Sequence, residues 1–123
     1  MADKKRILIV DDERDLVETI TFRLEASGYE VLAAYDGAEG LEKARTEKPD
    51  IILLDVMMPK MDGYQVCRML KFDEEFKNIP IIMLTARGQD MDKKTGTDVG
   101  ADGYITKPFD SKMLMEEIKK RIG

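Results

Sequence analysis

The chain has 123 residues, with 20 Lys and Arg against 25 Asp and Glu, no His, and a formal charge of −5. At 43% hydrophobic it can build one core without a disulfide staple, so one domain over 1–123 is expected, and the single Cys67 has no partner for an internal bridge. The missing His removes the commonest general base and transition-metal ligand, which leaves carboxylates, hydroxyls and Lys to carry any chemistry.

Five short apolar runs punctuate the chain: Ile7–Val10, Val31–Tyr35, Ile51–Leu54, Ile81–Leu84 and Tyr104–Thr106. Four of them are continuous rather than alternating, as strands covered on both faces should be. Between the runs the spacing is helical. Leu16, Ile20 and Leu24 recur every fourth residue, with Gly28 where a helix would stop. Asp36 can cap a second helix through Leu41 and Ala44, which must end before Pro49. Val66, Met69 and Leu70 share one face of a third, introduced by the turn Asp62-Gly63. A fourth stretch, from about Gln89 to Val99, carries Gly96 and almost no apolar stripe. Asp110 or Ser111 can cap the last helix, whose inner face is Leu114, Ile118 and Ile122.

Strand–helix alternation repeated five times predicts an α/β fold, a doubly wound five-stranded parallel sheet. The strand order is not readable from periodicity. No apolar run approaches the ~20 residues of a membrane helix, and the start Met1–Arg6 lacks a signal peptide's long apolar stretch. The expectation is a soluble, cytoplasmic chain that does not touch the membrane. Basic residues are interspersed with acids, and the one dense cluster, Lys119-Lys120-Arg121, suits the negative end of the last helix. Direct nucleic-acid binding is therefore not expected.

The residues that close the runs are polar. The first ends on Asp11-Asp12, the third on Asp55, the fourth on Thr85 and the fifth on Thr106-Lys107-Pro108. Ligands of open parallel sheets bind outside the carboxyl ends of the strands. Taken singly, an Asp after a strand is more often a cap or turn former than a reactive group. Taken jointly, three carboxylates, a hydroxyl and an ammonium at one edge form a site. Two carboxylates about 4 Å apart repel by roughly 4 kcal/mol at an effective dielectric near 20, so a proton or cation must intervene. Mg²⁺, an oxygen-seeking ion that pairs carboxylates with phosphate, fits; Zn²⁺ does not. Carboxylate, cation, Lys and Thr together describe phosphoryl transfer, with one Asp as nucleophile.

With the blocks Ile9–Glu13, Asp50–Pro59, Met61-Asp62-Gly63, Leu84–Arg87 and Gly100–Phe109 in this order, the chain resembles the CheY-like receiver domain of bacterial response regulators. Leu84-Thr85-Ala86-Arg87 and Met57-Met58-Pro59 most resemble receivers of the OmpR/PhoB type. The resemblance implies strand order 2-1-3-4-5 and a cis Lys107–Pro108 bond. It implies that Asp55 accepts a phosphoryl group from a histidine kinase or phosphotransfer protein, and that Asp11, Asp12, Asp55 and the Met57 carbonyl hold Mg²⁺. Thr85 and Lys107 would grip the phosphoryl oxygens, and Tyr104 would be an aromatic switch moving inward with Thr85. The surface of the fourth helix, fifth strand and last helix would then act on an output protein or domain. Such a chain catalyses its own phosphorylation and dephosphorylation but is not a turnover enzyme.

Met57 and Arg87 occupy positions that in the family tune loss of the phosphoryl group, and an apolar Met57 cannot orient an attacking water. Glu13 either adds negative charge beside the acidic pair or is a first-turn residue favoured by the helix dipole, and the second reading is preferred. Gly103, Met113 and Glu117 stand where OmpR/PhoB-type receivers place ion-pairing residues of a dimer, so a monomer is expected without phosphorylation. Three other readings compete. A haloacid dehalogenase-type phosphatase needs a second Asp where Met57 stands. A flavin binder's phosphate would be repelled by Asp11-Asp12-Glu13. A phosphorylation-independent interaction module would not need Asp12, Asp55, Thr85 and Lys107 together.

Overall fold

Each expected apolar run forms a strand in the computed structural model, which describes residues 4–58, 61–86 and 100–123. The strands are β1 (Arg6–Val10), β2 (Glu30–Ala34), β3 (Ile51–Asp55), β4 (Ile81–Ala86) and β5 (Gly103–Lys107). All pair in parallel, in the order β2-β1-β3-β4-β5. The register sets Val10 beside Leu54, Asp55 beside Leu84, and Thr85 beside Thr106. Every residue of the central strand β3 is buried, whereas edge strand β2 is mostly half-exposed.

Four helices flank the sheet among the described residues: α1 (Arg14–Ala26), α2 (Gly37–Glu47), α3 (Gly63–Lys71) and the C-terminal α4 (Ser111–Ile122). The expected helical stretch around Gln89–Val99 lies outside the described residues. Because strand side chains alternate, the sheet feeds two cores. On one face Leu8, Val10, Leu54 and Met83 pack with Leu41 and Ala44 of α2 and Val66 and Leu70 of α3. On the other, Ile7, Ile9, Leu53 and Leu84 pack with Val17, Ile20 and Leu24 of α1 and Leu114 and Ile118 of α4.

Local chemistry fixes the helix starts. Asp36 accepts from the Glu39 amide at 2.8 Å and Asp110 from the Met113 amide at 2.8 Å, so Asp110 rather than Ser111 is the cap. Asp62 and Gln65 form a reciprocal capping box, with bonds of 3.0 and 3.1 Å. The α3 start crosses close beneath the end of β3: a Cβ on Gly63 would lie 2.1 Å from the Asp55 carbonyl oxygen, so only glycine allows this approach.

Two details of the helix faces differ from the sequence reading. Met69 is 41% exposed, while Cys67, a small packing residue in the sequence, packs with Val66 and Leu70 as expected. The 100° step of a helix puts 66, 67 and 70 on one arc, and the sheet centres on that arc. On α1, Val17 is buried while Leu16 is only partly covered.

Candidate functional site

The carboxyl ends of β1, β3, β4 and β5 bring the expected polar residues to one edge. Asp11, directly after β1, is fully buried, and its amide donates to the Ala34 carbonyl at 3.0 Å, which anchors the loop to β2. Asp55 ends β3 and is 6% exposed; Thr85, in β4, is 3% exposed. Asp12 is exposed, and so is Met57, two residues past Asp55. Lys107 ends β5 and enters the cis Lys107–Pro108 bond.

The Lys107 ammonium joins three elements. Nζ donates to Asp11 Oδ2 at 2.8 Å, to Glu13 Oε1 at 3.2 Å and to Asp55 Oδ1 at 3.4 Å. Asp11 Oδ1 accepts from the Glu13 amide at 2.9 Å, so both oxygens of that buried carboxylate are engaged. Glu13 is the participant that sequence reasoning placed elsewhere. The structure makes Glu13 the N-cap residue of α1 rather than a first-turn residue, and its carboxylate makes no cap bond and turns to Lys107. A sequence signal existed: Glu follows the acidic pair where an N-cap usually prefers Ser, Thr, Asp or Asn.

Oxygens of Asp11, Asp12 and Asp55 all lie within 4.8 Å of one another. Burial, and next the charge of Asp11, push the Asp55 carboxyl up to about 6; the attraction of Lys107 only partly opposes them, and Asp12 adds to the rise. Lys107 is itself partly desolvated, which favours its neutral form. The hydrogen bond to Asp11 and the charges of Asp55 and Asp11 outweigh that, and its pKa is raised. One ammonium thus leaves Asp55 under-compensated. A hard divalent cation with oxygen ligands suits this donor set.

Thr85 and Tyr104 share a sheet face. Tyr104 stands beside Met83 and Thr106 beside Thr85, which makes Tyr104 the diagonal cross-strand neighbour of Thr85. Tyr104 is half-buried against the core on the α2–α3 side. Arg87 lies outside the described residues.

Known proteins share this arrangement's sequence and fold. Residues 7–119 match the family model described as the response regulator receiver domain. The chain is 49% identical over 115 residues to the alkaline phosphatase synthesis transcriptional regulatory protein PhoP of Bacillus subtilis, covering 94% of this chain and 47% of that protein. It is 46% identical over 114 residues to the DNA-binding dual master transcriptional regulator RpaA of Synechocystis sp., covering 93% of this chain and 47% of that one. The chain therefore spans about half the length of the curated relatives it matches. Among solved structures, it superposes on the receiver domain of the sensor histidine kinase PA1611 of Pseudomonas aeruginosa, solved with magnesium in its active-site cleft. The TM-score there is 0.89 at 30% identity, covering 98% of this chain and 99% of that one. The parallel 2-1-3-4-5 sheet, the acidic edge and the family match over nearly the whole chain lead to one conclusion: this chain belongs to the response regulator receiver domains of two-component signalling.

Proposed function

We propose that the chain is a phosphorylation-controlled switch in which Asp55 is the phosphoacceptor. The observation that carries this reading is the convergence of Asp11, Asp55 and Lys107 from three strand ends, with a buried Asp55 whose charge is under-compensated. An Asp55 oxygen attacks phosphorus, an O–P bond forms, and the P–N bond to a histidine kinase or phosphotransfer protein breaks, with imidazole leaving. Asp11, Asp12, Asp55 and the Met57 backbone carbonyl are the residues that would hold Mg²⁺. When bound, that ion supplies charge neutralisation for the phosphoryl oxygens. Lys107 orients the Asp55 carboxylate and then donates to a phosphoryl oxygen, and the Thr85 hydroxyl donates to another.

The new group adds up to roughly two negative charges and fresh acceptor oxygens at Asp55. Thr85 reaches them by shifting toward Asp55, and Tyr104, diagonal to it, follows into the space vacated. The face carried by β5 and the C-terminal helix is altered in this way, and an output domain or partner protein reads the change. The two regulators matched over half their length are described as a transcriptional regulator and a DNA-binding one, and they suggest a DNA-directed output, exerted through a region other than this chain. The reading places the chain in the cytoplasm, and no described helix is long and apolar enough to cross a membrane. The protein transfers one phosphoryl group to itself and is not a turnover enzyme.

Acetyl phosphate with Mg²⁺ followed by intact mass tests the reading. The wild type gains one phosphoryl group and Asp55→Asn gains none. Equal labelling of both, or multiple turnovers with free phosphate and no labelled protein, contradicts it.

A further inference from the structure

A Lys ammonium has three N–H donors, and in this chain all three are committed. Asp11, Glu13 and Asp55 take them at 2.8, 3.2 and 3.4 Å. For Lys107 to donate to a group newly attached at Asp55, one of these contacts has to yield. Asp11 is poorly placed to do so: its side chain is 0% exposed, and removing its cation would strand a buried carboxylate. The Asp55 contact is the longest and lies where the new group would sit. Glu13 is 61% exposed, and its carboxylate can return to water at little cost. Its backbone is held independently, since the Glu13 amide donates to Asp11 at 2.9 Å and its carbonyl receives the Val17 amide at 3.1 Å. The side chain can therefore swing without disturbing the α1 start. Nor is it needed as a cap, since it makes no capping bond.

We propose that Glu13 is a positioning residue for Lys107: it shares the ammonium in the resting site and so competes for it with a phosphoryl group at Asp55. The inference rests on the reading of Asp55 as phosphoacceptor. Glu13 lowers the affinity of the site for a phosphoryl-like anion by competing for the lysine. The strength of one exposed ion pair sets the scale, about two- to five-fold in dissociation constant.

The test is calorimetric titration of the full chain with beryllofluoride at saturating Mg²⁺. Glu13→Gln binds about two- to five-fold tighter than wild type. In a Lys107→Ala background the same substitution changes affinity by less than the experimental error, because the effect runs through the lysine. Glu13→Asp keeps the charge but is one methylene too short, so it follows Glu13→Gln; this arm stands even if Lys107→Ala does not fold. Unchanged affinity in Glu13→Gln overturns the proposal. So does a gain that persists without Lys107, or a Glu13→Asp protein indistinguishable from wild type; either would assign the effect to long-range repulsion. A wild type that takes up no beryllofluoride overturns the phosphoacceptor reading itself, a failure distinct from the others.

Discussion

Replacing Asp55 by Asn should stabilise the fold when no divalent cation is present. Asp55 is 6% exposed and held near 6 instead of 3.8 by burial and by Asp11. Ionising it within the fold above that pH costs about 3 kcal/mol relative to the unfolded chain, at about 1.4 kcal/mol per pH unit. An amide removes the charge but still has to be buried, so a net gain of about 1–3 kcal/mol is expected. For a domain of this size that raises Tm by roughly 5–10 °C. The pH dependence follows from the raised value: the folded form holds its proton more tightly, so wild-type stability from this group is fully present below about 4 and is lost as pH rises through about 6. The gap between variant and wild type should therefore open over that interval and be widest near neutral pH. Thermal melts in EDTA at several pH values measure it. With Mg²⁺ the order should narrow, because wild type gains binding energy that Asp55→Asn, one ligand short, cannot match. A variant that melts no higher than wild type in EDTA near neutral pH would refute the electrostatic account of the site.

Further outcomes follow from other parts of the structure. Burial pushes the fully buried Cys67 thiol up to about 12, so native protein at mildly alkaline pH should resist alkylation and react only in denaturant; rapid native labelling would contradict its placement. Met57, exposed beside the site, has no group to orient a water, so Met57→Asn with Arg87→Glu should release phosphate from the labelled protein faster, by about a hundredfold at the lower end of what a positioned polar group supplies; an unchanged rate refutes the assignment. Glu117 pairs within the chain with Arg121 at 3.8 Å, and Arg121 donates to the Asp102 carbonyl at 2.5 Å. Sedimentation should show a monomer with and without beryllofluoride, and a beryllofluoride-dependent dimer would refute this.

The strands were legible because four of the runs are apolar at every position, a pattern that two-sided burial favours. Helix starts were legible where the cap is a short acid, as at Asp36 and Asp110. Strand order was not, since periodicity reports which faces are covered and not which neighbour covers them; it entered only through the family resemblance. Edge strand β2 looked no different from the others, although it is mostly half-exposed. Misplacing Met69 shows the resolution of the helical pattern: spacing alone cannot tell whether the buried arc of α3 runs through 67 or 69. At the site, the Asp, Thr and Lys residues were named because each terminates a strand. Glu13's carboxylate was misassigned because its partner lies 94 residues away, and only the juxtaposition of β1 and β5 around β3 and β4 makes the contact.

The most direct measurement is to map the phosphorylated residue chemically. Borohydride converts an aspartyl phosphate to homoserine, and peptide mass spectrometry after labelling with acetyl phosphate and Mg²⁺ locates it. The account predicts homoserine at position 55 alone, lost when Mg²⁺ is chelated during labelling. Homoserine at position 11 or 12, or none at any position in protein that retains its fold, would contradict it.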